Sequence, residues 1–325
     1  MTRKTVCMDI ALPLLLAAVM LCALRYGSAG LTLPMLWDAL RGTDETARVI
    51  LLQLRLPRVL GAALAGACFA GAGQLLQTAT GNDLAAPNVI GVNAGAGLGV
   101  MVILALVPGA WYLLPLVSGI GAVLAALIAS GISAGRKKSA VVLSGVAVSA
   151  LCSAGVSFLS LRYPDAVASY TAFSVGGFSG ITMKQLLFPA VTALLAFGGA
   201  FCLTPKLSLF CLGDSGAAAL GVRVGRVRVL TLLAAGFLCA AAVSFAGLIG
   251  FVGLIVPHVV RRLGYAGEGR RLYRCIPAGA TLTVLADLGG RCLFSPTEMP
   301  AGIFTAVIGA PFFLYLLLRK GGDRL

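Results

Sequence analysis

Several short stretches of the sequence carry side chains that could do chemistry. Gly177-Phe178-Ser179-Gly180 and Gly213-Asp214-Ser215-Gly216 each set a serine among glycines, the local form of a nucleophile turn, and His258 is the single histidine that could act as base. Serine catalysis needs that base within hydrogen-bond reach, with oxyanion donors alongside. Gly131-Ile-Ser-Ala-Gly135-Arg136-Lys137 approaches a phosphate-binding loop. Three residues separate its glycines where four are required, and Arg136 displaces the lysine. Any work driven by nucleotide hydrolysis would therefore fall to a separate chain. Asp287 and Arg291 stand four residues apart, on one face of a helix, and could neutralise each other. Asp287 is the one clear carboxylate inside an apolar stretch, too little for a proton relay. The nine cysteines are scattered singly with no C-x-x-C pair, so they read as small buried hydrophobes and not as a disulfide frame or zinc site. No cluster of residues reads as a metal-ligand set.

The elements that must position these residues are membrane-crossing helices. Of 325 residues 59% are apolar, about 192, which is enough for nine or ten spans of roughly 20 residues each. Charged residues make up 11%, under half of the roughly 25% found in soluble domains. A soluble globule and a disordered chain are both excluded. The apolar runs predict ten spans, at about 10–30, 58–78, 88–107, 112–133, 139–161, 185–204, 229–247, 248–262, 276–294 and 302–319, the eighth short and irregular. A signal peptide competes for the first, which follows Met1-Thr2-Arg3-Lys4. Its length and the lack of a clear small-x-small site favour a retained helix. Span two is dense in Gly and Ala from Gly61 to Gly73, the mark of a helix wrapped by others. Span five carries Ser144, Ser149 and Ser153 among small residues, which suits tight packing or a pathway wall equally well.

Basic residues set the orientation. With the N-terminus inside, 17 of the 25 Lys and Arg fall in cytoplasmic segments, as the positive-inside bias requires. The net charge of +14 is then mostly an orientation signal. No aromatic residues interleave with a basic stripe, so nucleic acid is not an expected partner. Arg48, Arg55 and Arg58 crowd the outer end of span two, and Arg291 lies near the outer end of span nine. They oppose the bias, so they either neutralise lipid phosphates or dock something acidic. Residues 212–221, an Ala-rich core between glycine joints followed by Arg223, Arg226 and Arg228, read as two short helices at the cytoplasmic surface or as an ordinary loop.

Taken in order, the motifs resemble the permease family of ABC importers for ferric siderophores, haem and vitamin B12. The likeness runs from about Leu54 to Leu318. It is carried by Arg55-Leu-Pro57-Arg58, Gly66-Ala67 through Gln77, Asn82-Asp83-Leu84-Ala85-Ala86-Pro87 with Gly91, and L-G-x-x-x-A-x-x-L-G at 212–221. The later part of the series is Gly247 to His258 with Arg261, Ala286-Asp287 with Arg291, and Glu298-Met-Pro300-Ala-Gly302 with Gly309-Ala310-Pro311-Phe312.

The resemblance implies an all-α, polytopic permease of type II importer fold with about ten transmembrane helices, a single domain over 1–325 with coupling helices at about 206–226. It also implies a multi-pass protein of the bacterial plasma membrane with both termini cytoplasmic. The implied partners are two ATP-binding subunits that hold ATP and Mg, an extracytoplasmic binding protein, and a second permease subunit, identical or paralogous, all within membrane lipid. This chain would bind no cofactor or metal, have no catalytic residue, and take a ferric siderophore, with haem or cobalamin as alternatives. By the same likeness Arg55, Arg58 and Arg291 would meet glutamates of the binding protein. Leu212, Gly213, Asp214, Ala217, Leu220 and Gly221 would seat in the ATPase. Ser144, Ser149, Ser153, Phe173, Gly176 and Gly177 would belong to the pathway and gate, while Asn82, Pro87, Gly91, Pro257, His258, Asp287 and Pro300 would be structural. The chain departs from the family at Asp83, where proline is usual and the inner turn is therefore in question, and at Phe173, where tryptophan is common.

Overall fold

The computed structural model describes residues 3–27, 33–86, 91–133, 138–264, 267–293 and 297–322. Among them every regular element is helical. In chain order these are α1 (Arg3–Arg25), α2 (Leu33–Arg41), α3 (Glu45–Val49), α4 (Leu56–Thr80), α5 (Val92–Leu106), α6 (Leu114–Ser133) and α7 (Lys138–Arg162), then α8 (Asp165–Val175), α9 (Met183–Ser208), α10 (Gly213–Ala219), α11 (Val224–Ala246), α12 (Val252–Arg262), α13 (Glu268–Cys292) and α14 (Ala301–Gly322). Each of the ten expected spans coincides with a helix, and α2, α3, α8 and α10 are added between them. Among the described residues six stretches are long and apolar enough to cross a membrane, and α5 and α14 are shorter apolar helices. The remaining two are α12, with 11 residues, and α13, which carries Arg274, Asp287 and Arg291 along its 25 residues. Such polar content is tolerated at membrane depth when protein covers it. α13 packs along α4, α1, α12 and α14.

α4 is the hub. Its most apolar stretch is 83% buried, against 6% for α1, as the glycine- and alanine-rich composition predicts. At Gly66 an added Cβ would strike the backbone of Gly279 in α13, and at Gly73 it would strike Gly253 in α12. Here glycine permits backbone-to-backbone approach, the contact that holds helices together where lipid supplies no hydrophobic drive. The helix is entered without a break, because α3 and a π-helical turn at Ile50–Arg55 run directly into it. Pro57 follows directly on that turn, at the second position of α4. The lipid-facing α1 is fastened near both ends. Arg274 Nε donates to Asp9 at 2.6 Å, and Arg55 Nη1 donates to the carbonyls of Leu24 and Arg25 at 2.7 and 2.6 Å.

Irregular backbone gathers at one junction. α8 ends at Gly176 (φ +73°), the α11–α12 break begins at Gly247 (φ +71°), and Phe251 caps α12 with φ +65°. The groups freed there pair across segments: Gly177 N–H donates to Ala246 at 2.9 Å, Leu248 N–H to Phe173 at 3.4 Å and Gly302 N–H to Gly176 at 3.2 Å. Unwound backbone survives at membrane depth only with such partners. Phe251 is the one described non-glycine residue with positive φ, a strained state that the packing of its ring against Gly309 of α14 holds in place.

Two expectations from the sequence need revision. All nine cysteines are free, but five of them (Cys7, Cys22, Cys202, Cys211 and Cys292) are exposed, because an apolar run facing lipid looks the same in sequence as one facing the core. The short helices expected over 206–226 are tighter than that range. α9 continues to Ser208, a 3-10 turn covers Leu209–Leu212, and α10 occupies only Gly213–Ala219. Pro87 lies outside the described residues.

Candidate functional site

The two ends of the bundle carry different polar constructions. At one end Arg55 of the π-helical turn, Arg58 of α4 and Arg291 of α13 converge. Beneath them Asp287 is 1% exposed. Arg58 Nε donates to both of its oxygens at 3.0 and 3.1 Å, and Arg291 Nε lies 3.0 Å away as an ion pair. Arg58 Nη1 also donates to Glu298 at 2.6 Å. Arg55 and Arg291 reach the last carbonyls of α1, with Arg291 Nη2 donating to Ala23 at 3.4 Å. A helix C-terminus leaves carbonyls without helical donors and carries partial negative charge, so two guanidiniums complete it.

The three arginines and Glu298 line a basin of about 530 Å³, whose far wall is Ser179–Thr182. Three guanidiniums facing Glu298, with Asp287 below, leave the basin positive. The burial differs from the simplest expectation. Arg55 is 5% and Arg291 2% exposed, so each presents only an edge, and Arg58 with Glu298 forms the open part. The Asp287–Arg291 pair does not snorkel outward, because Arg58 and the end of α1 close over it. Glu298 belongs to a quoted motif but was assigned no role; its register against Arg58 becomes visible only once α14 is placed.

The candidate pathway residues separate. Ser144 is buried, and its hydroxyl donates to Ala129 of α6 at 3.0 Å, so it packs α7 against α6 and does not reach the open face. Ser149 is half-buried and Ser153 exposed on α7. Phe173, Gly176 and Gly177 form the junction described above, with Pro300 against Gly177.

The other end centres on α10. Gly213 (φ +79°) and Gly221 (φ +82°) turn the chain into and out of the short helix, a conformation glycine adopts without strain. Ala217 is fully buried, whereas Leu212 and Leu220 are 57% and 60% exposed. Asp214 anchors the helix, because Arg228 Nη2 donates to both of its oxygens at 2.8 Å. Arg228 Nε donates to Ala79 of α4 at 3.0 Å, so one guanidinium joins α10, α11 and α4. Within a basic run Arg228 looked like an orientation charge only.

Close by, Arg261 pairs with Asp83 and donates to Gln77 at 3.1 Å. Asn82 builds its own turn by accepting Leu84 N–H at 3.0 Å through Oδ1. Asp83, the departure from the family pattern, is thus held by an ion pair. Gly91 starts α5 with φ +81°. Pro257 lies inside α12, and His258 meets Phe312 edge-on at 5.8 Å. Neither serine motif gathers a catalytic set. Ser179 lines the arginine basin, and Ser215 sits beyond the far end of α9, a 26-residue helix of about 39 Å.

Residues 14–319 match the FecCD transport family. The chain belongs to that family. Among its relatives, the Fe(3+)-citrate import system permease YfmE of Bacillus subtilis is 38% identical over 320 residues, covering 94% of each chain. The achromobactin permease CbrC of Dickeya dadantii is also 38% identical over 320 residues, covering 94% of this chain and 90% of its own. A solved metal-chelate type ABC transporter in an inward-facing conformation superposes with a TM-score of 0.85 at 31% identity, over 96% of this chain and 98% of that one. As a FecCD protein the chain is a multi-pass membrane permease of the iron-chelate class of ABC importers, not an enzyme.

Proposed function

We propose that this chain imports a ferric siderophore-type chelate, delivered by an extracytoplasmic binding protein to the arginine basin and driven by two ATPase subunits that hold ATP and Mg and grip α10. The observation that carries the reading is the basin itself: three arginines over one buried and one exposed carboxylate, open on a face that the positive-inside bias places outside. Acidic side chains of a partner would meet it, in the first place at Arg58. The permease forms a dimer with itself or a paralogue around the pathway, with both termini cytoplasmic. It does no covalent chemistry. ATP-driven closure of the ATPases moves α10, and the pathway changes the side to which it opens. A relative at 38% identity carries Fe(3+)-citrate in its name, which supports iron over cobalamin.

The test is uptake into vesicles holding permease and ATPase, with the binding protein outside, comparing labelled ferric siderophore, haem and cobalamin. ATP-dependent accumulation of the ferric chelate alone is the expected result. Accumulation without ATPase would refute the mechanism, and accumulation of cobalamin or haem alone would refute the cargo.

A further inference from the structure

An apolar groove of about 350 Å³ runs between α6, α9 and α11, and none of its lining residues belongs to the arginine basin. Its hydroxyls solicit nothing. Thr192 donates to Phe188 at 3.0 Å and Ser244 to Ala241 at 2.8 Å, each within its own helix. The rest of the lining is almost wholly carbon, so the groove suits a hydrocarbon.

The length of the groove narrows the choice. Its α6 wall extends from Pro115 to Leu124, about 14 Å along the helix axis. One leaflet contributes about 15 Å of the roughly 30 Å hydrocarbon core. The groove starts where α6 and α9 begin and α11 ends, on the basin side of the bundle, and so spans that leaflet alone. Charge at the mouth completes the match. Lys184 is exposed in the first turn of α9, four residues before Phe188 and eight before Thr192, on the same helix face. Lys184 thus lies at the basin-side end of the groove, one helical turn before its first α9 residue.

We infer that this groove holds one acyl chain of an anionic phospholipid from the basin-side leaflet, with the phosphate beside Lys184. At Gly119, in the groove lining, an added Cβ would meet no atom within 4 Å, so a side chain can be started there without a clash at its first carbon. Gly198 on α9 is equally unobstructed but lies outside the groove lining and serves as control.

The experiment is native mass spectrometry of the full-length permease, released from a neutral detergent after exposure to an equimolar mixture of phosphatidylglycerol and phosphatidylcholine. The expected result is one retained lipid, mostly phosphatidylglycerol. Gly119→Leu, or Ile120→Trp should the first fold poorly, reduces retention about tenfold, and Gly198→Leu leaves it unchanged. Lys184→Gln keeps a lipid but lowers the preference for phosphatidylglycerol about fivefold, the weight of one lysine near an anionic surface. Undiminished retention in a folded groove-filling variant, equal loss in Gly198→Leu, or a second protein copy in place of lipid would overturn the site. An unchanged preference in Lys184→Gln would overturn the headgroup assignment. None of these readouts depends on transport or on cargo.

Discussion

Asp287→Asn tests whether the arginine cluster is held together by its central charge. The carboxylate lies between two guanidiniums with almost no exposure of its own. The amide keeps the shape and removes the charge. Breaking a buried ion pair from one side costs about 3–5 kcal/mol, mostly because the surviving charge stays buried. The two arginines do not suffer equally. Arg58 is partly wet and keeps Glu298 at 2.6 Å, so its loss is partly compensated, whereas Arg291 is buried and keeps, among the described residues, a long contact to Ala23. The loss falls mainly on Arg291, which sets the expectation at about 3 kcal/mol, the lower end of that range. Removing the stranded charge should restore stability. In the double variant Asp287→Asn with Arg291→Gln, two neutral amides can hydrogen-bond, and the coupling between the substitutions should be about 2 kcal/mol. The assay is denaturant titration of the purified permease in detergent, with wild type, both singles and the double compared as a cycle. Additive losses would refute the reasoning, since they would mean that each residue acts by packing and not through the pair.

Three other substitutions probe the remaining constructions. Glu298→Gln should release Arg58 to the basin and tighten association with the binding protein a few-fold, at about 1 kcal/mol for a partly exposed pair. Biolayer interferometry showing unchanged or weaker binding would count against Arg58 as the docking group. Asp214→Ala should loosen α10 by about 1 kcal/mol, because Asp214 is 42% exposed and solvent screens its pair with Arg228. Co-purification with the ATPase should then fall several-fold while membrane insertion is retained, and undiminished co-purification would remove Asp214 from the coupling role. Gly66→Ala should reduce stability by about 1–3 kcal/mol, since the Cβ meets backbone that cannot give way. Gly198→Ala should be neutral in the same melt, and similar midpoints for the two would contradict the close α4–α13 approach.

The ten spans were legible because the bilayer imposes a length and a composition on each helix, and even α13 announced itself through the motif around Asp287. What could not be read was which way residues face. Ser144 and Ser153 are equally small and polar in sequence, yet one bonds to α6 and the other is exposed, a difference fixed by helix rotation. The three basin arginines were visible from their opposition to the charge bias, but their depth depends on where α1 ends. Arg228 was hidden by its basic neighbours, and its pairing with Asp214 bridges a turn whose geometry comes from Gly213 and Gly221. Asp83 gave a clearer signal. A carboxylate in place of an expected proline put the inner turn in question, and the fold answers with the ion pair to Arg261.

The polar contacts also indicate how a push at α10 could reach the basin. α4 is clamped to α13 at both ends. On the basin side Arg58 holds Asp287; on the opposite side Gln74 Nε2 and the Thr78 hydroxyl each donate to Glu268 at 2.8 Å. Between the clamps the backbones touch at Gly66 and Gly279, and Thr283 of α13 donates to the Ala62 carbonyl at 2.6 Å. Sliding or rolling one helix against the other would break buried polar contacts for which the surrounding protein offers no substitute, so the pair moves as a unit. Arg228 ties that unit to α10 through Ala79 and Asp214. A displacement of α10 is therefore delivered to a stiff two-helix body whose far end bears the arginines. The strained Phe251 and the glycine-bounded breaks at Gly176 and Gly247 lie beside that body. Stiffness along α4 and α13 is what a permease needs if one face is to respond to a motor gripping the other.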